Sequence, residues 1–128
     1  MHGWIRIGLV GALGVASACA ASTPSEQSAV TRASRDIIVR TDFESLSLGT
    51  AQDIVRQLRP MWMQQRAVGG AREDPAVYID NMRRGGLAAL AEVPASAVLE
   101  IRYLNGTDAT TRLGTGHRAG AILVTTRR

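Results

Sequence analysis

At 128 residues the chain has room for one small domain. Hydrophobic residues make up 45 % and charged residues 20 %, which excludes a disordered chain and a multi-span membrane protein. The net charge is +4 and every basic side chain except the two histidines is an arginine, scattered singly among acidic neighbours. The densest basic pairs, Arg83-Arg84 and Arg127-Arg128, are too short for a nucleic-acid footprint, so no nucleic-acid partner is expected.

The chain opens on a three-part export signal. MHGWIR carries a positive charge at Arg6, and IGLVGALGVASA is an apolar run too short to span a bilayer, which needs roughly 20 residues. Residues 1–18 are therefore read as a signal peptide. It ends in Val15-Ala16-Ser17-Ala18-Cys19, where small residues stand directly before the only cysteine. That pattern resembles the lipobox of bacterial lipoproteins, with Ala16 in the place where leucine is usual. The resemblance implies that the Cys19 thiol accepts a diacylglyceryl group and that the chain is anchored by lipid, since each buried methylene contributes about 0.8 kcal/mol. A lone cysteine also excludes an internal disulfide framework and a four-thiolate zinc site. Residues 19–35 then read as the lipidated cysteine and a Ser/Thr/Ala-rich tether.

The folded part is expected over residues 36–128. Asp36–Arg40 is β-branched and reads as a strand. Thr50 caps a helix with Asp53 three residues on, and Ala51, Ile54, Val55 and Leu58 form its apolar stripe until Pro60 stops it. Met61-Trp62-Met63 is expected to pack on that helix as a strand or turn, the alternative being an exposed apolar patch for a partner or membrane. Gln64–Pro75 reads as a loop. Ala76–Asp80 is a strand, Asn81–Gly86 a turn, and Leu87–Val93 a short helix with Leu87, Leu90 and Ala91 on one side. In the next strand Leu99, Ile101 and Tyr103 should share one face, with Glu100 and Arg102 on the other. Asn105-Gly106 is a turn, Thr107 or Asp108 caps a helical segment through Leu113, and Gly114–Gly120 loops into Ala121–Thr126, apolar on both faces as a central strand would be. The fold class is α+β, a small mixed sheet with two or three short helices on one side.

Catalytic and cofactor motifs fail on context. Gly114-x-Gly116-x-x-Ala119 follows a helix and opens a strand, the reverse of a dinucleotide loop. His117 has no partners at metal-ligand spacing, and spacing gives no argument for Asp108 as its orienting carboxylate or for Thr107 or Thr110 as a nucleophile. No cofactor, metal or enzymatic activity is expected.

The order of elements resembles the plug domain of TonB-dependent outer-membrane receptors. That family runs through a valine-tyrosine-valine-aspartate-glycine strand, a short helix, isoleucine-proline, a strand ending in a lysine-glycine turn, a small helix, a glycine-rich loop and an apolar final strand. Here the stations are Val77-Tyr78-Ile79-Asp80-Asn81, Leu87–Ala91, Val93-Pro94, Val98–Leu104, Asn105-Gly106, Thr107–Leu113, Gly114–Gly120 and Ile122–Thr126. Asn81 replaces the usual glycine, and it also accepts left-handed backbone. Asp36-Ile37-Ile38-Val39 is faintly similar to a TonB box but is read as a plain strand. No transport barrel is expected, because the chain stops where a receptor's transmembrane strands would begin.

The resemblance implies a binding domain in a Gram-negative envelope, periplasmic or surface-facing at the outer membrane. Its partner would be an envelope protein or an outer-membrane receptor, met through the loops Gly69–Pro75, Asn81–Gly86 and Gly114–Gly120. The candidate contact residues are Arg72, Asn81, Arg83, Arg84, Thr115, His117 and Arg118. The alternative is a structural lipoprotein, periplasmic or secreted, with no specific ligand.

Overall fold

A computed structural model describes residues 35–128 of the protein. The expected signal peptide, Cys19 and the tether through residue 34 lie outside the described residues.

The fold is α+β. A five-stranded mixed sheet is built from β1 (Ile37–Val39), β4 (Ala76–Ile79), β5 (Met82–Gly85), β6 (Val98–Leu104) and β7 (Ala121–Thr126), in the order β1-β6-β7-β4-β5. The β4–β7 pair is parallel and the other pairs are antiparallel. Among the described residues, three α-helices accompany them, α1 (Arg40–Phe43), α2 (Ala51–Leu58) and α3 (Gly106–Leu113).

Strand parity sorts the core. Ile38, Val77, Ile101, Tyr103, Ile122 and Val124 project to one face, under Ile54 and Val55 of α2, Trp62 and Leu90. Leu104 and Ala121 project to the other, where they meet Ala109 of α3, with Tyr78, Leu113 and Leu123 packed around them. The sheet is therefore covered on both faces, which corrects the expectation of helices on one side. The cause lies in β7, whose alternate residues are all apolar through Val124 and so need cover on each side.

The termini of α2 follow from its sequence. The Thr50 hydroxyl accepts from the Asp53 amide at 3.3 Å, and the Asp53 carboxylate accepts from the Thr50 amide at 3.0 Å. A 3₁₀ turn, Pro60–Met63, follows directly and buries Trp62 against Tyr103, their ring centroids 5.6 Å apart. The segment Leu87–Glu92 is also 3₁₀ rather than α. With three residues per turn, Leu87, Leu90 and Val93 come into line, and Ala91, expected on that side, is exposed.

Two stretches expected as loop and turn are strands. Within Gln64–Pro75, β2 (Arg66–Val68) and β3 (Ala71–Glu73) form a hairpin about Gly69 and Gly70, both at positive φ. Within Asn81–Gly86, β5 pairs with β4 because Asp80 (φ 47°) and Asn81 (φ 67°) are both left-handed, the geometry of a tight type I′ hairpin. The helix α3 also starts earlier than expected. Asn105 is its N-cap, its side-chain oxygen accepting from the Asp108 amide at 2.9 Å.

Asp80 fastens this hairpin to β7. Its carboxylate accepts from the Thr126 hydroxyl at 2.6 Å and from the Thr126 amide at 2.9 Å. These bonds, the hydroxyl first, hold the carboxyl below its ordinary pKa, and Arg128 adds to them.

One register shift changes a side-chain assignment. The β6–β7 ladder slips between Val98 and Glu100, so Leu99 turns outward at 41 % exposure while Val98 and Ile101 are fully buried. Leu99 does not share the face of Ile101 and Tyr103, because the extra residue of a bulge reverses the alternation on either side of it.

Two measurements check this arrangement. Ile101→Ala should destabilise the domain by about 2–5 kcal/mol in urea unfolding, whereas Leu99→Ala should change it by no more than about 0.5 kcal/mol; equal losses would contradict the bulge. Because the Asp80 pKa is lowered on folding, its stabilising contribution is complete above the ordinary aspartate range, near pH 4, and is lost as pH falls through the folded value. Unfolding curves of Asp80→Asn should accordingly lie below wild type at neutral pH and converge on it under acid; a constant gap would assign the effect to shape alone.

Candidate binding cleft

Parallel pairing places the starts of β4 and β7 side by side, and antiparallel β5 returns to the same end. Three of the expected loops therefore converge there. Glu73, Asp74 and Pro75 before β4, Arg83 with Gly85 and Gly86 at the end of β5, and Gly116, His117 and Gly120 before β7 line one cleft of about 390 Å³. Glycines at four of these positions bring no side chains, so much of the wall is main chain. Arg83 supplies a cation, with the carboxylates of Glu73 and Asp74 on the same cleft.

His117 closes the floor. It is 4 % exposed, and its Nδ1 stands 2.8 Å from the Gly114 carbonyl oxygen. A carbonyl only accepts, so Nδ1 carries the proton and donates. That leaves Nε2 as the acceptor for the Tyr78 hydroxyl, 2.7 Å away. The two rings lie 5.7 Å apart at 41°. Expected as a contact residue, His117 instead ties the loop to β4, with both ring nitrogens occupied within the fold.

The remaining candidates disperse. Arg72 and Arg84 are exposed on β3 and β5, and Thr115 is exposed in the loop, but none of them lines the cleft. Arg118 belongs to a separate open depression beside α3, with Asn105, Thr107 and Thr110. Asn81 sits in the hairpin turn at the opposite end of β4. Of the seven candidates, the cleft gathers Arg83 and His117.

Glu73, Asp74 and Tyr78 were not among the expected site residues. Alternation in β4 sets Tyr78 opposite Val77 and Ile79, which was legible, but nothing in spacing shows that its partner stands 39 residues later. Two glycines hold the loop by close approach. A Cβ on Gly106 would collide with the Arg118 carbonyl group. One on Gly120 (φ +100°) would come within 2.7 Å of the Leu104 oxygen and 2.8 Å of the Tyr103 hydroxyl.

Among the described residues, no group of three or more His, Cys, Asp or Glu stands close enough to hold a metal, and no helix is long and apolar enough to cross a membrane. No family model matches the chain, and no curated protein or solved structure matches it either.

The loop lock is testable. Tyr78→Phe removes the donor to a buried ring nitrogen and should cost about 1–3 kcal/mol, with faster amide exchange through Gly114–Gly120. A variant with wild-type stability and loop protection would refute the lock.

Proposed function

We propose that the protein is an envelope-associated binding domain, similar to the plug of TonB-dependent receptors and held to the outer membrane through a lipidated Cys19. Support comes from the order of motifs from Val77 to Thr126, and from the side-by-side pairing of the two strands that begin and end it. The observation that carries the binding reading is the convergence of three chain segments, the end of β3 with Asp74 and Pro75, the end of β5 and the loop into β7, on one cleft. With a main-chain wall and charged groups at Glu73, Asp74 and Arg83, that cleft suits a polar segment of an envelope protein or receptor. In this reading the domain binds rather than catalyses, and His117, engaged by Tyr78 and Gly114, serves to hold the cleft's wall.

The test is a crosslinking pull-down of the full tethered chain from envelopes, run with two variants. Wild type should recover a reproducible partner. Arg83→Glu should lower recovery about fivefold, on the order of 1 kcal/mol for an exposed charge, and Arg72→Glu, outside the cleft, should leave it unchanged. Recovery of no partner would favour the alternative, a structural lipoprotein without a ligand.

A further inference from the structure

The 3₁₀ turn after α2 divides its side chains in a way its packing does not require. Trp62 is buried on Tyr103, but Met61 beside it is 69 % exposed, a large apolar side chain directed at solvent behind exposed Pro60. Together with Leu58 these residues form an apolar groove of about 500 Å³, with the Tyr103 ring on its wall. Its rim is cationic. Arg35, Arg59 and Arg66 line it, against one carboxylate, Asp36. The Arg59 guanidinium donates to the carbonyls of Arg35 and Leu58, and that of Arg66 stands 5.7 Å from the Tyr103 ring centroid. Among the described residues neither pairs with a carboxylate, whereas Arg40, Arg56 and Arg102 each do.

The described chain begins at this groove, since Arg35 and Asp36 belong to it. Cys19 stands sixteen residues earlier, which bounds its distance from Arg35 at about 55 Å even for a fully extended chain. An anchor there draws this corner of the domain toward the bilayer before any other.

We infer that the Met61 groove is a membrane-contact surface that seats the domain on an anionic lipid bilayer. Met61 enters the acyl boundary, and the Arg59 and Arg66 guanidiniums meet phosphate headgroups. An apolar side chain flanked by long cationic ones is the arrangement that suits an interface, because arginine lays its stem on apolar surface while its head stays among polar groups. Basic residues near an anionic surface attract it strongly enough that each contributes about fivefold to partition. The inference rests on the envelope placement proposed above but not on the cleft or its partner.

The experiment uses the full chain carrying Cys19→Ser, which has neither an acyl anchor nor a thiol. Met61→Cys, or Met82→Cys as a control, is labelled with a polarity-sensitive fluorophore. Met82 is 62 % exposed on β5, the opposite edge of the sheet. On phosphatidylglycerol-containing vesicles, a label at 61 should shift to the blue and be quenched by brominated acyl chains, and a label at 82 should not. Adding Arg59→Ser and Arg66→Ser should weaken the response at 61 about fivefold for each arginine, while Arg84→Ser, exposed on β5 outside both groove and cleft, leaves it unchanged. A label at 61 that stays in water, equal responses at 61 and 82, or equal responses on neutral and anionic vesicles would overturn the inference. So would a shift that grows with protein concentration in the absence of vesicles, which would assign the groove to a second copy of the chain.

Discussion

The molecule depends on β7 being buried from both sides. Ala121, Ile122 and Val124 are almost wholly withdrawn from water, and their side chains alternate between the two faces of the sheet. Burying one Ile or Val side chain contributes about 1.5–3 kcal/mol, whereas a typical hydrogen bond contributes a net of about 1 kcal/mol. Ile101 of β6 and Val77 of β4 flank Ile122 and Val124 of this strand, so apolar packing outweighs any single polar contact in setting the architecture. A parallel neighbour adds a second constraint. Since β4 and β7 run the same way, the chain between them has to cross over, and that stretch carries β5, the 3₁₀ segment Leu87–Glu92, β6 and α3.

Dense cover of the second face accounts for the behaviour of the glycine-rich loop. Glycines usually loosen a loop, yet this one is held at three points: the His117 ring between Gly114 and Tyr78, Gly106 against the Arg118 backbone, and Gly120 against Leu104 and Tyr103. Its glycines serve close approach as much as turning. A loop ordered before a partner arrives loses less freedom on binding, so the same contacts that stabilise the fold preorganise one wall of the cleft.

Much of the fold was legible in the sequence because strong local signals agreed with the tertiary result. The capping box at Thr50, the stop at Pro60, the alternation of Ile101 with Tyr103 and the apolar run of β7 are all decided within a few residues. The misreadings share a physical cause. Gly69-Gly70 and Asp80-Asn81 look like loop punctuation, but paired left-handed residues make the tightest hairpins and so create strands on either side. Leu99 was misassigned because a bulge is a property of the ladder and leaves no mark on the strand's own sequence. The site was less legible than the fold. Loop membership was readable, but which loops share one end of the sheet follows from strand order, and parallel pairing of strands so distant in sequence carries no local signature.

Strand order also orients the molecule. The apolar groove lies beside the entry to β1 and the Tyr103 end of β6, while the cleft is built by β4, β5 and the loop into β7. In the order β1-β6-β7-β4-β5 these are opposite margins of the sheet. Strands lie about 4.8 Å apart, so its outer strands are separated by about 19 Å. The two sites nonetheless meet at one end of the sheet, since a Cβ on Gly120 of the cleft would come within 2.8 Å of the hydroxyl of Tyr103 on the groove's wall. Arg83, Glu73 and Asp74 line the cleft on the β4–β5 side of that contact. In the proposed seating, membrane contact and partner recognition meet across the Tyr103–Gly120 contact, beside the buried centre of the sheet at Ile101, Ile122 and Val124.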